Sequence, residues 1–378
     1  MNYELIKTIK HRTIMALPNV KINFKNGSIG GVEPMDDGVT LAIILGLHLD
    51  ADVDCLTYND YVEKAGAENA LVKAFFTEAG GKTRLIVSGK SPLTEANVQA
   101  LIQRFNGDIR NVVIAGERTL TEINTLQAVG EWAATELFAP VTFFVTAASG
   151  VTPKNLSLNR VAVVDGVTDT EAEGGVPLLW YVAGHAAKIP VQRSLARVKD
   201  GALTAPEFWY TEGTGSSAKR RLVTNLYAEG RHNSGFITVR TFQGKTGYYI
   251  SDDQMAAPAS DDYALLPRRR TIDKAYRVAY QTLANYIGDE IPLSSTGRMS
   301  ETYCKDMSNA VEQAIYKTMT VYGNLGTDTS DASDRGVRCY INPDQDVAAT
   351  SRVLITLWVK PYGYAKYIEV DLGFDTTI

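Results

Sequence analysis

The chain has 378 residues, with 38 Lys and Arg against 43 Asp and Glu and a formal net charge of −5. Hydrophobic residues make up 45% and charged residues 21%, the composition of a globular protein of roughly two or three domains. Disordered, collagenous and coiled-coil chains are excluded, and the acidic surplus argues against a general nucleic-acid binder.

Residues 1–35 read as an extended arm. Within it Val20-Lys21-Ile22-Asn23-Phe24-Lys25 alternates apolar and polar, the period of a strand with one dry face. From 36 to 200 the pattern is α/β. Apolar runs at 39–47, 84–88, 111–115, 141–146 and 161–164 are apolar on both faces, as buried parallel strands are. Helical stretches at 58–78, 94–105, 121–137 and 176–188 lie between them. This alternation predicts a mostly parallel sheet flanked by helices. Residues 201–262 mix Gly, aromatic and charged residues and read as a β-rich insertion. Over 263–365, helical periods at 271–287 and 300–322 precede strands at 337–341 and 353–359, an α+β unit. The segment 366–378 closes with a second alternation, in which Ile368, Val370 and Leu372 face one way and Tyr367, Glu369 and Asp371 the other. Each terminal strand must join a sheet. It either folds back on its own chain or adds to the sheet of a neighbour. A strand passed from copy to copy builds rings or helical filaments.

Motifs for chemistry are weak. Gly80-Gly81-Lys82-Thr83 and Gly244-Lys245-Thr246 lack the leading glycine of a phosphate loop, Phe76 and Val239 standing there instead. An EF-hand loop starting at Asp50 would place Cys55 and Tyr61 where Gly and Glu belong. Asp328, Asp331 and Asp334 read as wet carboxylates on a loop. His185, inside Ala183-Gly184-His185-Ala186-Ala187, reads as a satisfied, partly buried histidine. Cys55, Cys304 and Cys339 are too scattered for a disulfide framework or a CxxC site and suit a reducing compartment. No run approaches the ~18 apolar residues of a membrane span. The reading therefore expects no catalytic, cofactor or metal site, no nucleic-acid partner and no membrane insertion. Arg268-Arg269-Arg270, followed by Lys274, reads as a basic run at a helix entrance, facing either an acidic partner or solvent.

Several segments resemble contractile tail sheath proteins of bacteriophages and related injection systems. They are Gly184–Ser194 running on to Arg197–Gly201, Gly244–Asp253, Arg268–Ala275, Asn342–Val347, Val353–Val359 and the closing Ile368–Leu372. The resemblance covers roughly residues 35–378. It implies a subtilisin-like α/β region without a protease site, a C-terminal sheath domain and extended linking strands. It also implies a structural subunit that forms a six-fold helical tube around an inner tail tube and contracts to drive that tube through a target envelope. Its partners would be other copies in stacked hexameric rings, the inner tube protein, and baseplate and tail terminator proteins. Its place would be the sheath of a virion tail or injection system, assembled in the bacterial cytoplasm. Subunits would link through Val20, Ile22 and Phe24 in the arm and Ile368, Val370 and Leu372 in the tail. Arg268, Arg269, Arg270 and Lys274 would meet the inner tube. An α/β enzyme for a nucleotide or sugar, or another phage tail structural protein, are the alternatives.

Overall fold

Strands that are apolar on both faces need cover on both faces, and the first half of the chain supplies it. The computed structural model describes residues 36–81, 83–168, 175–213, 219–370, 372 and 374. Val20, Ile22 and Phe24 lie outside them. In chain order come β1 (Thr40–Ile43), β2 (Val53–Cys55), α1 (Tyr58–Ala65), α2 (Ala70–Ala79), β3 (Leu85–Ser88), α3 (Glu95–Arg104) and β4 (Asn111–Arg118). Then follow α4 (Leu120–Thr135), β5 (Thr142–Ala147), β6 (Val161–Val163) and α5 (Leu178–Lys188). The strands form one six-stranded sheet in the order β2-β3-β1-β4-β5-β6. All neighbours run parallel except β2, which lies antiparallel on the β3 edge.

Side-chain alternation divides the sheet between two cores. Ala42, Val87, Val113 and Phe144 pack with Phe75 of α2 and Trp180 of α5. Leu41, Ile43, Ile86, Val112 and Phe143 pack with Ile102 of α3 and Ile123 and Leu126 of α4. Full burial of each large side chain contributes roughly 1.5–3 kcal/mol. The stretch 58–78, expected as one helix, is two. Gly66 closes α1 in the left-handed region, and the Asn69 side chain accepts from the N–H groups of Leu71 and Val72 to start α2. The short β2 carries too little apolar period to show in the sequence.

Next come β7 (Trp209–Glu212), β8 (Lys219–Leu222), α6 (Asn225–Asn233), β9 (Val239–Arg240) and β10 (Tyr249–Ile250). β7 pairs with β8 and β9 with β10, both antiparallel. The helix between the two hairpins was not expected. Thr224 caps it, accepting from the Tyr227 N–H. Phe208, Val223, Ile237, Val239 and Ile250 belong to the same core as α2 and α5.

The C-terminal part holds α7 (Leu266–Leu283), α8 (Glu301–Ile315), β11 (Val337–Ile341), α9 (Val347–Thr350) and β12 (Ile355–Val359). A π-turn at Tyr316–Thr320 extends α8. α7 starts five residues earlier than its period suggests, because Pro267 fits the first turn of a helix. The arginine run therefore lies within the helix and not ahead of it. Val311 and Ile315 of α8 pack with Ala275 and Ala279 of α7 and Cys339 of β11. Residues 366–370, at the start of the expected closing strand 366–378, are in neither helix nor strand.

Candidate subunit interface

β11 and β12 pair antiparallel, from Val337 opposite Val359 to Ile341 opposite Ile355. Among the described residues no other strand joins them. Antiparallel pairs alternate between those that exchange backbone hydrogen bonds and those that turn these groups outward. The Lys360 N–H donates to the Gly336 carbonyl at 2.8 Å, so Arg338–Trp358 and Tyr340–Thr356 bond inward. The backbone groups of Val337, Cys339 and Ile341 point out of one edge, and those of Ile355, Leu357 and Val359 out of the other.

The two edges are not equivalent. At the middle of the β11 edge the Cys339 N–H donates to Glu312 Oε1 at 2.7 Å. Glu312 comes from α8, which also helps bury Cys339 and Ile341. Ile355, Leu357 and Val359 on the β12 edge are only half-buried. The hairpin's opposite face exposes Tyr340, Leu354 and Trp358. Arg338 sits there with its guanidinium 5.9 Å from the Trp358 ring centre.

Beyond β12 the chain is tied down and then released. The Tyr364 hydroxyl donates to the Gln192 carbonyl at 2.6 Å. The Gln192 side chain in turn accepts from Asn324 Nδ2 at 2.8 Å. Lys366 pairs with Asp252 and lies 3.4 Å from Asp253 Oδ1. Burial pushes the Asp253 carboxyl up, against the pull of Lys366. Burial, with the charge of Asp253, also raises the Tyr364 hydroxyl to about 12. Past this root Ile368 is 80%, Val370 76% and Leu372 95% exposed. None of the three expected linking residues of the tail is packed on its own chain.

The basic run sits differently from its expected role. Arg269 and Arg270 are buried and Arg268 and Lys274 half-buried. Arg269 Nη2 lies 2.5 Å from Asp273 Oδ1, and Arg160 lies 3.3 Å from the other oxygen of the same carboxylate. Arg270 donates to the carbonyls of Asp37 and Ile189. Lys274 Nζ lies 2.6 Å from Asp37 Oδ2. Burial brings the Arg270 guanidinium down to about 10, with Asp37 opposing the shift. The run fastens α7 to the α/β sheet. This placement speaks against a tube-facing role for Arg269, Arg270 and Lys274, whose charged groups are engaged within the chain. The sequence showed only a charge run, and its partners lie up to 237 residues away.

His185 has the partner expected of it. Its Nδ1 lies 2.8 Å from Glu78 Oε1, which also meets Lys188 Nζ at 2.5 Å. The second Glu78 oxygen accepts from the Thr204 N–H and hydroxyl. Burial pushes the Glu78 carboxyl up, but the hydrogen bonds from His185, Lys188 and Thr204 outweigh it and hold the group at about 2. In the acidic loop 50–54, Asp52 pairs with Arg104 and Asp54 with Arg84. Asp328 and Asp331 accept from Ser330 and Ser333, and Asp334 pairs with Lys360. Among the described residues no group of His, Cys, Asp and Glu could hold a metal ion. Among them, too, no helix is long and apolar enough to cross a membrane.

The DUF2586 N-terminal domain profile matches residues 17–254, and the DUF2586 C-terminal domain profile matches residues 262–378. The chain belongs to the DUF2586 family. No curated protein matches this DUF2586 chain in sequence. Solved structures do match its fold. The helical sheath of the anti-feeding prophage in its contracted state superimposes with a TM-score of 0.65 at 16% identity, over 96% of this chain and 100% of that one. The contracted sheath complex of PVC, an extracellular contractile injection system, gives 0.65 at 16% identity over 96% and 99%. The sheath tail protein Lin1278 from Listeria innocua gives 0.57 at 9% identity over 88% and 92%. The fold of this DUF2586 chain is that of contractile sheath proteins.

Proposed function

We propose that this chain is the repeating subunit of a contractile sheath, linked to other copies by strand addition. The observation that carries the reading is the C-terminal segment. An alternating apolar strand sequence is held at its root by Tyr364 and Lys366 and stands exposed beyond it, on a chain whose fold is that of sheath proteins. An exposed strand gains main-chain hydrogen bonds and apolar cover only on another sheet. Transfer from copy to copy is head-to-tail, so it closes into rings or continues as a helix. Stacked six-fold rings around an inner tube, with baseplate and terminator proteins at the ends, are the assembly this implies. The arm residues Val20, Ile22 and Phe24 would provide a second link. Contraction would then be a change between two packings of the same subunits. The subtilisin likeness belongs to this reading as architecture alone, a parallel sheet with helices on both faces, because fold does not carry function.

Electron microscopy of the full chain over a concentration series, beside chains lacking residues 1–26 or 367–378, tests the proposal. Hollow rods from the full chain, lost in both truncations, are the expected result. Rods that persist without either segment would refute strand linkage. If no chain forms rods even with tube protein added, the sheath reading falls.

A further inference from the structure

We infer that Lys366 docks by displacing a proton that the Asp252–Asp253 pair otherwise holds, so that the root of the tail is a latch that weakens in acid. The inference concerns contacts within one chain and stands or falls apart from strand linkage.

Asp252 and Asp253 follow β10 and are both buried, at 6% and 0% exposure. Burial and a neighbouring like charge each favour the protonated form of a carboxyl group. The two are not equally placed. Asp252 Oδ1 accepts from the Asp253 N–H at 2.8 Å, which helps to hold that carboxylate as an anion. Neither oxygen of Asp253 has a hydrogen-bond partner among the described residues. An ionised Asp253 therefore depends on a cation brought to it. Lys366 is that cation. Its ammonium pairs with Asp252 and stands 3.4 Å from Asp253 Oδ1.

The other groups around the pair come from three elements and the tail itself. His232, in the last turn of α6, places Nδ1 3.5 Å from Asp252 Oδ2. The Ser194 side chain faces Asp253. Tyr364 feels the Asp253 charge, and Arg268 of α7 opposes that effect on Tyr364. Within this setting burial raises Asp253 to about 6 while Lys366 pulls it down. Once the tail lifts away the pull is gone, and Asp253 takes its proton at a higher pH still. The undocked root thus binds more protons than the docked one. Docking strength is fully present above the undocked value and declines as pH falls toward the docked one. Each pH unit inside that window changes the docking equilibrium by up to about tenfold.

A nitroxide on Tyr367→Cys tests the latch in the full-length chain. That position is 84% exposed and next to Lys366, and the three native cysteines are buried. Its mobility is read by electron paramagnetic resonance from pH 8 to pH 5, below the concentration at which any rods form. The ratio of mobile to immobile label is expected to rise at least tenfold over that range. Asp253→Asn carries no charge to titrate and should flatten the profile to less than twofold. Asp252→Asn removes the like charge and should move the rise to lower pH. Lys366→Met should leave the label mobile throughout, and His232→Gln should leave the profile as it is. A flat profile in the natural root, a slope that survives Asp253→Asn, or a slope lost in His232→Gln overturns the inference. Should Asp253→Asn not fold, Lys366→Met decides, since a slope that survives there overturns it equally.

Discussion

Glu78 shows how a single carboxylate can bind distant segments together. It is fully buried and meets His185 and Lys188 of α5 and Thr204 beyond it. Its carboxyl lies at about 2 in the fold, below its ordinary 4.5. A depressed folded pKa contributes stability that is present above the unfolded value and lost as pH falls through the folded one. The contribution, on the order of 3 kcal/mol, should hold at pH 7 and fade between pH 4.5 and 2. Urea melts of the natural chain and Glu78→Gln check this: the gap between them should narrow as the pH is lowered through that window. Asp273 is a second such residue, shared by Arg160 and Arg269. Asp273→Ala leaves two buried cations without their anion and should cost about 3–5 kcal/mol, read as a lower denaturation midpoint. The sequence announced His185 as a satisfied histidine, because it interrupts an apolar helix. Its partner lies 107 residues away, and no local pattern carries that separation. The arginine run failed for the same reason, since a helix period does not say whether a cation meets water or a distant aspartate.

At the scale of elements, the strands and helices with strong period were legible, and their joints less so. The five parallel strands fall where buried β-branched runs predicted them. The break between α1 and α2, made by Gly66 and Asn69, was missed because the apolar period runs across it. The close contact of α2 with α5 depends on Gly184, where an added Cβ would lie 2.4 Å from the Phe75 carbonyl oxygen. Gly184→Ala should force the helices apart and destabilise the chain by about 1–3 kcal/mol, lowering the thermal midpoint. The tail root makes a different prediction. Tyr364→Phe with Lys366→Met removes its two fastenings. Amide hydrogen exchange over 361–366 should speed up severalfold, while the midpoint of global unfolding moves little, because partly exposed ion pairs contribute only about 0–1 kcal/mol. A large loss of global stability would show that the root belongs to the core.

For the whole molecule, the sequence reading expects an α/β part followed by an α+β part. It did not show that Tyr364, Asn324 and Gln192 would join them at one place. That place sets the mechanics of the proposed assembly. In that assembly the tail is fastened at Lys366 and would first grip a neighbour at Ile368. Only two Cα steps separate these points, a leash of about 7 Å at full extension. Such a link tolerates swivelling but hardly any stretch. Copies joined in this way can turn about one another while their centres stay nearly the same distance from the joint. A sheath built from them would shorten by changing pitch, as a lattice of hinged rods does, with every joint intact at both ends of the stroke.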